Sequence, residues 1–506
     1  MKRQRVTEVA RILGELLTSE ATRQARRIRR TDVDPLAAER ERARALREAL
    51  EGLGPLYIKM GQVLSTRPDM VSATIIEALQ DLHEEVMVRP FDEFEHVLVK
   101  NLGPDWRARF ATIETERPLG AASMAQVYAG TLHDGREVVV KVLRPHVAAQ
   151  ARLDMEILAQ AVRLVMRRFP VQAELFQPEA MLESIFVAMR PEIDFTVEAA
   201  NIEAFQKYTR DYKHLTVPDV VEVTKEVLIM TRAPGRSIRS ADLTQFSGEE
   251  RRAIARDASE LLFRGFLVDG VFHADPHPGN IFVAVGEPAT LIDFGMIGRI
   301  DRRTALGYTR FMLAMALNDG QAAGRAVVEM STLTTRSDVP GFLNDMGRWV
   351  PSVVNLSLDN AEFGATFNQF LVFCSKRGIA VNPAVALFGK ASANLEGTLR
   401  AIAPELTPVE VFREVMADVL RDQAKSMAAG GELMRLANET FIAAYSLPEQ
   451  ARYLAQSVFD GQFVLRTRDD ALLIAQDRED ARAKKMRRLI LGLGAAALWV
   501  SYRNQS

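Results

Sequence analysis

Residues 273–295 constrain the chain more tightly than any other stretch. They read "HADPHPGN", then the apolar run "IFVAVGEPATLI", then "DFG". Asn280 follows Asp275 by five residues, and Asp293 follows Asn280 by thirteen. The apolar run, broken at Gly-Glu-Pro, predicts a short hairpin. Two chemistries suit the polar residues. His273, Asp275 and His277 could ligate a metal, but that needs further ligands elsewhere. The chain has seven histidines, and no second cluster accompanies these. Alternatively, an aspartate, an asparagine five residues on and an aspartate opening Asp-Phe-Gly are the parts of a phosphoryl-transfer loop. The spacing favours the second chemistry and leaves His273 and His277 to structure or orientation.

Upstream, "ERPLGAASMAQVYAG" places a turn of small residues (Gly120, Ala121, Ala122, Ser123) between two strands, with Gln126 opening the second. Small residues let backbone N–H groups approach phosphate oxygens. By itself this is a weak signal. It gains weight from Lys141 in "EVVVKVL", a β-branched strand reached through the turn His133-Asp134-Gly135-Arg136. A lysine among apolar residues is an edge residue facing solvent, or it is buried and needs a partner. In this order of elements a phosphate-facing lysine is the better reading, and "RPEIDFTVEAANIEAF" offers Glu192, Asp194 and Glu198. Such a run is ordinarily a solvated acidic face; a lysine in need of a mate shifts the choice to Glu198.

Composition narrows the class. With 506 residues, more than one structural unit is expected. Lys+Arg 64 against Asp+Glu 66 argues against nucleic acid as partner. One cysteine, Cys374, forbids an internal disulfide, suits a reducing compartment and reads as buried filler. No secretory signal is visible. The first thirty residues hold nine Lys/Arg and three Glu, with apolar residues at helical spacing, which fits either a helix packed on the body or one lying on a membrane. At the other end a basic block, Arg482 to Arg488, precedes twelve residues, Leu489 to Val500, with Trp499 and Tyr502 at their edge. That is too short to span a bilayer comfortably as a helix. It fits a packed terminal helix or a tail anchored on an anionic membrane.

Four regions follow. Residues 1–110 read as a helical extension with a break at Pro68, and 111–232 as a small strand-rich lobe with inserted helices. Residues 233–470 read as a large helical lobe, opened by the capping box Ser247-Gly-Glu-Glu250 and interrupted at Asp269-Gly270. Residues 471–506 form the basic, apolar tail.

The order of small-residue loop, strand lysine, helix glutamate, Asp-x-x-x-x-Asn and Asp-Phe-Gly resembles the protein-kinase-like fold: α+β and bilobal, here with a helical N-terminal extension and a helix-rich large lobe. The departures are specific. The loop is Ala-rich, Ala274 stands where the catalytic loop would carry arginine, and no Ala-Pro-Glu follows "DFGMIGRIDRRTALGYTRF". Together with "GPLYIKMGQVLSTRPDM", they resemble the UbiB family of atypical kinases, linked to isoprenoid-quinone metabolism. The loop differs from the usual family pattern in beginning with Gly120 and carrying Ala125 before Gln126.

The resemblance implies a site with Asp275, Lys141 and Glu198 catalytic and Gly120, Ala121, Ala122, Ser123, Gln126 and Lys141 binding nucleotide. It implies Asn280 and Asp293 as Mg²⁺ ligands, and a regulatory lid of Lys59, Gln62, Glu192 and Asp194. The cofactors implied are ATP and Mg²⁺. The partners implied are an isoprenoid lipid or quinone precursor, a membrane surface and lipid-biosynthesis enzymes, in a cytoplasmic protein held peripherally or by its tail. Three activities remain open: a lipid-coupled ATPase, which is favoured, a kinase for a small molecule or protein, and a nucleotide-gated scaffold without catalysis.

Overall fold

Alternation along "EVVVKVL" decides the small lobe. In a strand, successive side chains face opposite ways, so Val138, Val140 and Val142 share one face and Val139, Lys141 and Leu143 the other. The computed structural model describes residues 5–9, 11–12, 35–65, 73–80, 88–122, 124–168, 178–333, 337–355, 363–404, 417–418 and 421. Its main sheet contains β1 (Phe110–Ile113), β2 (Gly120–Ala121), β3 (Ala125–Leu132), β4 (Glu137–Leu143), β6 (Val220–Val223) and β7 (Val227–Thr231). The spatial order is β1-β3-β4-β7-β6, with β2 paired to β3, and every pairing is antiparallel. The β3–β4 hairpin turns at Gly135, whose φ of 86° suits glycine.

The sheet separates two cores. Val138, Val140 and Val142 join Val227, Ile229 and Tyr128 beneath helix α1 (Asp92–Leu102), which buries Phe94, Val97, Leu98 and Leu102 at i, i+3, i+4 and i+8. Val139, Leu143, Leu228 and Met230 face the other way, into the core shared with the rest of the chain. Each fully buried valine is worth about 1.5 kcal/mol or more, so a charge at Val140 would break the outer layer.

Helix α4 (Phe195–Thr209) packs on the sheet, α3 (Pro178–Ile193) packs on α4, and α2 (Val147–Arg168) packs on α3. The N-terminal helices Pro35–Leu53, Pro55–Ser65 and Ala73–Gln80 pack on one another, and Pro55–Ser65 also rests on α2 and α3. Residues 5–9 are helical and dock on the body rather than lying free. Val6 and Val9 are buried, and Arg5 Nε and Nη2 donate to both oxygens of the buried Asp154 at 2.8 and 2.7 Å.

The large lobe begins at helix α5 (Gly248–Arg264). Ser247 caps it, accepting from Glu250 N at 3.1 Å, while the Glu250 carboxylate accepts instead from Gly286 N at 3.1 Å. Only half of the expected capping box forms. One π-helical turn, Gly265–Asp269, ends at left-handed Gly270. Short strands then follow: β9 (Val271–His273) pairs with β12 (Ile297–Arg299), and β10 (Ile281–Val283) with β11 (Ala289–Leu291), flanked by β8 (Arg236–Ser237) on β10 and β5 (Leu215–Thr216) on β11. The hairpin expected between Asn280 and Asp293 is the β10–β11 pair, turning at Gly286.

Behind them stands α6 (Pro383–Ile402), which packs on α5. Its Phe388 stacks on Phe266 at 3.8 Å and meets Phe272 of β9 edge-on, so the strand leading into the Asp275 loop rests on an aromatic floor. Cys374 is buried, and burial pushes its thiol well above the usual range, as suits a packing residue. Among the described residues no helix is long and apolar enough to cross a membrane. The tail, 471–506, and most of the basic N-terminus lie outside the described residues.

Candidate active site

Lys141 stands opposite Val127 of β3 and Leu228 of β7, on the face turned toward α4. Its ammonium donates to both oxygens of Glu198 at 2.8 Å. Asp194 positions that partner: it caps α4, accepting from Thr196 N at 3.1 Å, and so sets the first turn, where Glu198 lies. Glu198 is 1% exposed and Lys141 18%. The acidic stretch is therefore not simply a solvated face: Glu198 is the mate of the strand lysine.

A second carboxylate faces the ammonium. Asp293 Oδ1 lies 3.9 Å from Lys141 Nζ, and Asp293 is half exposed. Burial alone would lower the lysine's pKa, but Glu198, Asp293 and Glu192 outweigh it and hold the ammonium well above its ordinary range. Burial pushes Glu198 up, against the pull of Lys141. Three carboxylates around one ammonium leave net negative charge, a setting that favours a further cation.

His273 joins the two aspartates of the loop. Its Nε2 contacts the Asp293 carbonyl at 2.8 Å, and its Nδ1 accepts from Asp275 N at 3.3 Å. An acceptor at Nδ1 places the proton on Nε2, so the ring is neutral and donates to Asp293. Burial favours that state by lowering the pKa. His273 is thus occupied by the backbone, which removes the metal-cluster alternative. Asp293 adopts φ 63°, a left-handed conformation costing about 1 kcal/mol. The His273 contact and Gly295 N, which donates to Asp293 Oδ1 at 3.3 Å, hold it there.

Asn280 Nδ2 donates to the Asp275 carbonyl at 3.1 Å, and Ile292 N donates to the Asn280 carbonyl at 2.8 Å. One hydrogen-bonded chain therefore runs from Asp275 through Asn280 to the residue before Asp293. Among the described residues no three His, Cys, Asp or Glu side chains could cage a metal together. Asn280 and Asp293 supply two hard oxygens, which suits Mg²⁺, an ion that completes its shell with phosphate oxygens and water.

Two of the nucleotide-loop expectations need correction. Gln126 faces away from the lysine, because it pairs with Val142 on the outer face of the sheet. It is fully buried, accepts from Arg89 N at 2.6 Å and donates to the Arg89 carbonyl at 3.1 Å and Tyr128 Oη at 2.8 Å. The Ala122 amide is spent closing the turn on the Ala125 carbonyl at 2.8 Å. Gly120 is exposed with open space where a Cβ would stand, and Ala121 pairs beside it. Ser123 lies outside the described residues. No motif points to Asn394, whose Nδ2 donates to Asp275 Oδ1 at 2.6 Å from α6.

The model of the ABC1 atypical kinase-like domain matches residues 81–327, which contain this whole set from Lys141 to Asp293. An uncharacterized protein of Synechocystis sp. is 32% identical over 365 residues, covering 70% of this chain and 88% of that protein. The chain belongs to the ABC1/UbiB family of atypical kinase-like proteins. A probable protein kinase UbiB of Marinobacter nauticus is 28% identical over 450 residues, covering 88% of this chain and 80% of the relative. Among solved structures, Rv3197 of Mycobacterium tuberculosis in complex with erythromycin is 23% identical, covering 70% of this chain and 90% of that one, with a TM-score of 0.47. A kinase-like domain implies nucleotide binding.

Of the four residues expected to form a lid, two have described side chains. Helix Pro55–Ser65 carries Lys59 and Gln62, whose side chains lie outside the described residues. It packs on α3, which carries Glu192 near its end. Glu192 lies on the Asp293 side of the site: a Cβ on Gly295 would sit 3.7 Å from its Oε1. Asp194 is engaged as the cap of α4.

Proposed function

We propose that this ABC1/UbiB protein binds Mg-ATP and hydrolyses it, coupling turnover to an isoprenoid-quinone precursor or another lipid at a membrane surface. The carrying observation is the Lys141 ammonium, held by Glu198 at 2.8 Å and standing 3.9 Å from Asp293. This is an ammonium kept charged and aimed at the cation-binding aspartate, as phosphate recognition requires.

In this reading Lys141 contacts the nucleotide phosphates, and Glu198 fixes its direction. Mg²⁺ held by Asn280 and Asp293 would offset charge developing on the transferred phosphoryl group. Asp275, 30% exposed, orients the attacking hydroxyl and takes its proton. Lys59 and Gln62 are proposed to cover the cleft as a lid. Water as acceptor is favoured by the short exit from Asp-Phe-Gly, since β12 follows at once and the next helix starts at Arg302. That leaves little chain for docking a peptide. The names of the UbiB relatives favour transfer to another acceptor instead, and labelling of added protein or lipid alcohol by γ-phosphate-labelled ATP would establish that reading.

Phosphate release from Mg-ATP, with and without anionic liposomes and beside Asp293→Asn, tests the proposal. Turnover that rises with liposomes and disappears in the variant is expected. Nucleotide binding without turnover in either condition would sink it.

A further inference from the structure

Among the described residues no donor of its own loop hydrogen-bonds the Asp275 carboxylate: His277 Nε2 stands 4.0 Å from Oδ2. The donor that reaches Oδ1 is Asn394 Nδ2, 2.6 Å away and 119 residues along the chain. One helical turn further, the buried Thr398 hydroxyl donates to the Pro276 carbonyl at 2.7 Å. Residues four apart share a helix face, so α6 sets two donors against two consecutive residues of the catalytic loop. The helix itself is well fixed. Asn382 caps it, accepting from Ala384 N at 2.9 Å, and Phe388, Leu395 and Leu399 are buried.

The pairing has one polarity. A carboxylate only accepts, so the Asn394 amide must present its NH₂ group. That commits Oδ1 and leaves Oδ2 for the proton of an attacking hydroxyl. On the Oδ2 side stands His277 Nε2 at 4.0 Å. His277 Nδ1 accepts from Gly279 N at 2.9 Å, so in the neutral ring the proton is on Nε2, facing the carboxylate. A partly exposed aspartate could meet its hydrogen-bonding needs with water, so the contact is worth more as orientation than as stability. Misplacing a reacting group by about 1 Å can cost on the order of a hundredfold in rate.

We propose that Asn394 is a positioning residue: it holds the Asp275 carboxylate in one orientation, with Oδ2 presented to the nucleophile. Helix α6, which lies beyond the matched kinase-like segment 81–327, thereby completes the active site. This inference rests on the proposed function, in which Asp275 serves the nucleophile.

The test uses the full chain and Mg-ATP. Asn394→Ala should lower kcat about tenfold, with KM for ATP and the thermal midpoint near wild type. Asp275→Asn/Asn394→Ala should be no slower than Asp275→Asn, because the two residues act as one unit. An unchanged kcat in Asn394→Ala, or losses that multiply in the double variant, would overturn the proposal. A second cycle needs no turnover. Asn394→Asp sets two carboxylates against each other and should lower the thermal midpoint, whereas Asp275→Asn/Asn394→Asp exchanges donor and acceptor and should recover it. A swap no more stable than Asn394→Asp removes the contact and the proposal with it. A wild-type chain that releases no phosphate sinks the ATPase reading instead, and the swap cycle then judges the contact by itself.

Discussion

Lys141 and Asp275, the two residues proposed to carry the chemistry, stand on opposite lobes and are held in different ways. Lys141 sits in a seven-residue strand, hydrogen-bonded on both sides, with period-two alternation fixing its direction. Asp275 sits on a loop two residues beyond a three-residue strand. It is placed by individual bonds: its amide donates to His273, and it accepts from Asn280 and Asn394. A ladder distributes the work over many weak contacts, so single neighbours matter little. A loop depends on a few side chains, and losing one is felt at the reacting atom.

The largest effect expected is on turnover. Lys141→Ala and Asp275→Ala should each lower kcat/KM for ATP by on the order of 10³-fold. Initial rates over a range of ATP concentrations should separate them: KM rises for Lys141→Ala, which loses a phosphate contact, and holds for Asp275→Ala. A raised KM in both would erase the distinction between the lobes.

Next comes Glu198→Ala, which strands the Lys141 ammonium and should cost about 3 kcal/mol, read from denaturant midpoints. Glu198→Gln keeps a hydrogen-bond acceptor and should cost less. Gln126→Leu tests the outer face. It leaves the Arg89 amide without its partner and should cost about 2 kcal/mol, while ATP affinity measured by titration stays within about twofold, since the side chain points away from Lys141. A large loss of affinity would return Gln126 to the nucleotide site. Ser247→Ala, at the cap of α5, should cost about 1 kcal/mol.

The loop should also answer to pH. His273 has its pKa lowered from 6.5 by burial, so the folded state holds it neutral while the unfolded chain binds a proton. The neutral form contributes fully above about pH 6.5, and that contribution is lost as pH falls through the lower folded value. His273→Phe should flatten this part of the stability profile in denaturation experiments between pH 7 and 5.

Much of the site could be read from residue order. The Asp275, Asn280 and Asp293 spacing is local, and a hairpin of fixed length closes it, so the pattern in one dimension became geometry in three. Charge alone showed that Lys141 needs a carboxylate, because a strand lysine among valines requires a counter-ion, and it narrowed the choice to Glu192, Asp194 and Glu198. Gln126 departs from the expectation because sequence adjacency to a small-residue loop says nothing about which face of the sheet a side chain takes. The Glu250 side chain leaves the capping box for a similar reason: its competing partner, Gly286 N, comes from a distant turn.

By itself the sequence determined the elements, the β3–β4 and β10–β11 hairpins and the lysine on its strand, all consequences of periodicity and short-range spacing. It also carried the family, through motifs whose order survives wide divergence. Only the tertiary structure decided which carboxylate meets Lys141, that His273 bridges the two loop aspartates, and that Asn394 reaches Asp275 across 119 residues. Those contacts depend on how helices pack. Packing is set by the summed fit of many buried side chains, and no short stretch of sequence encodes that sum.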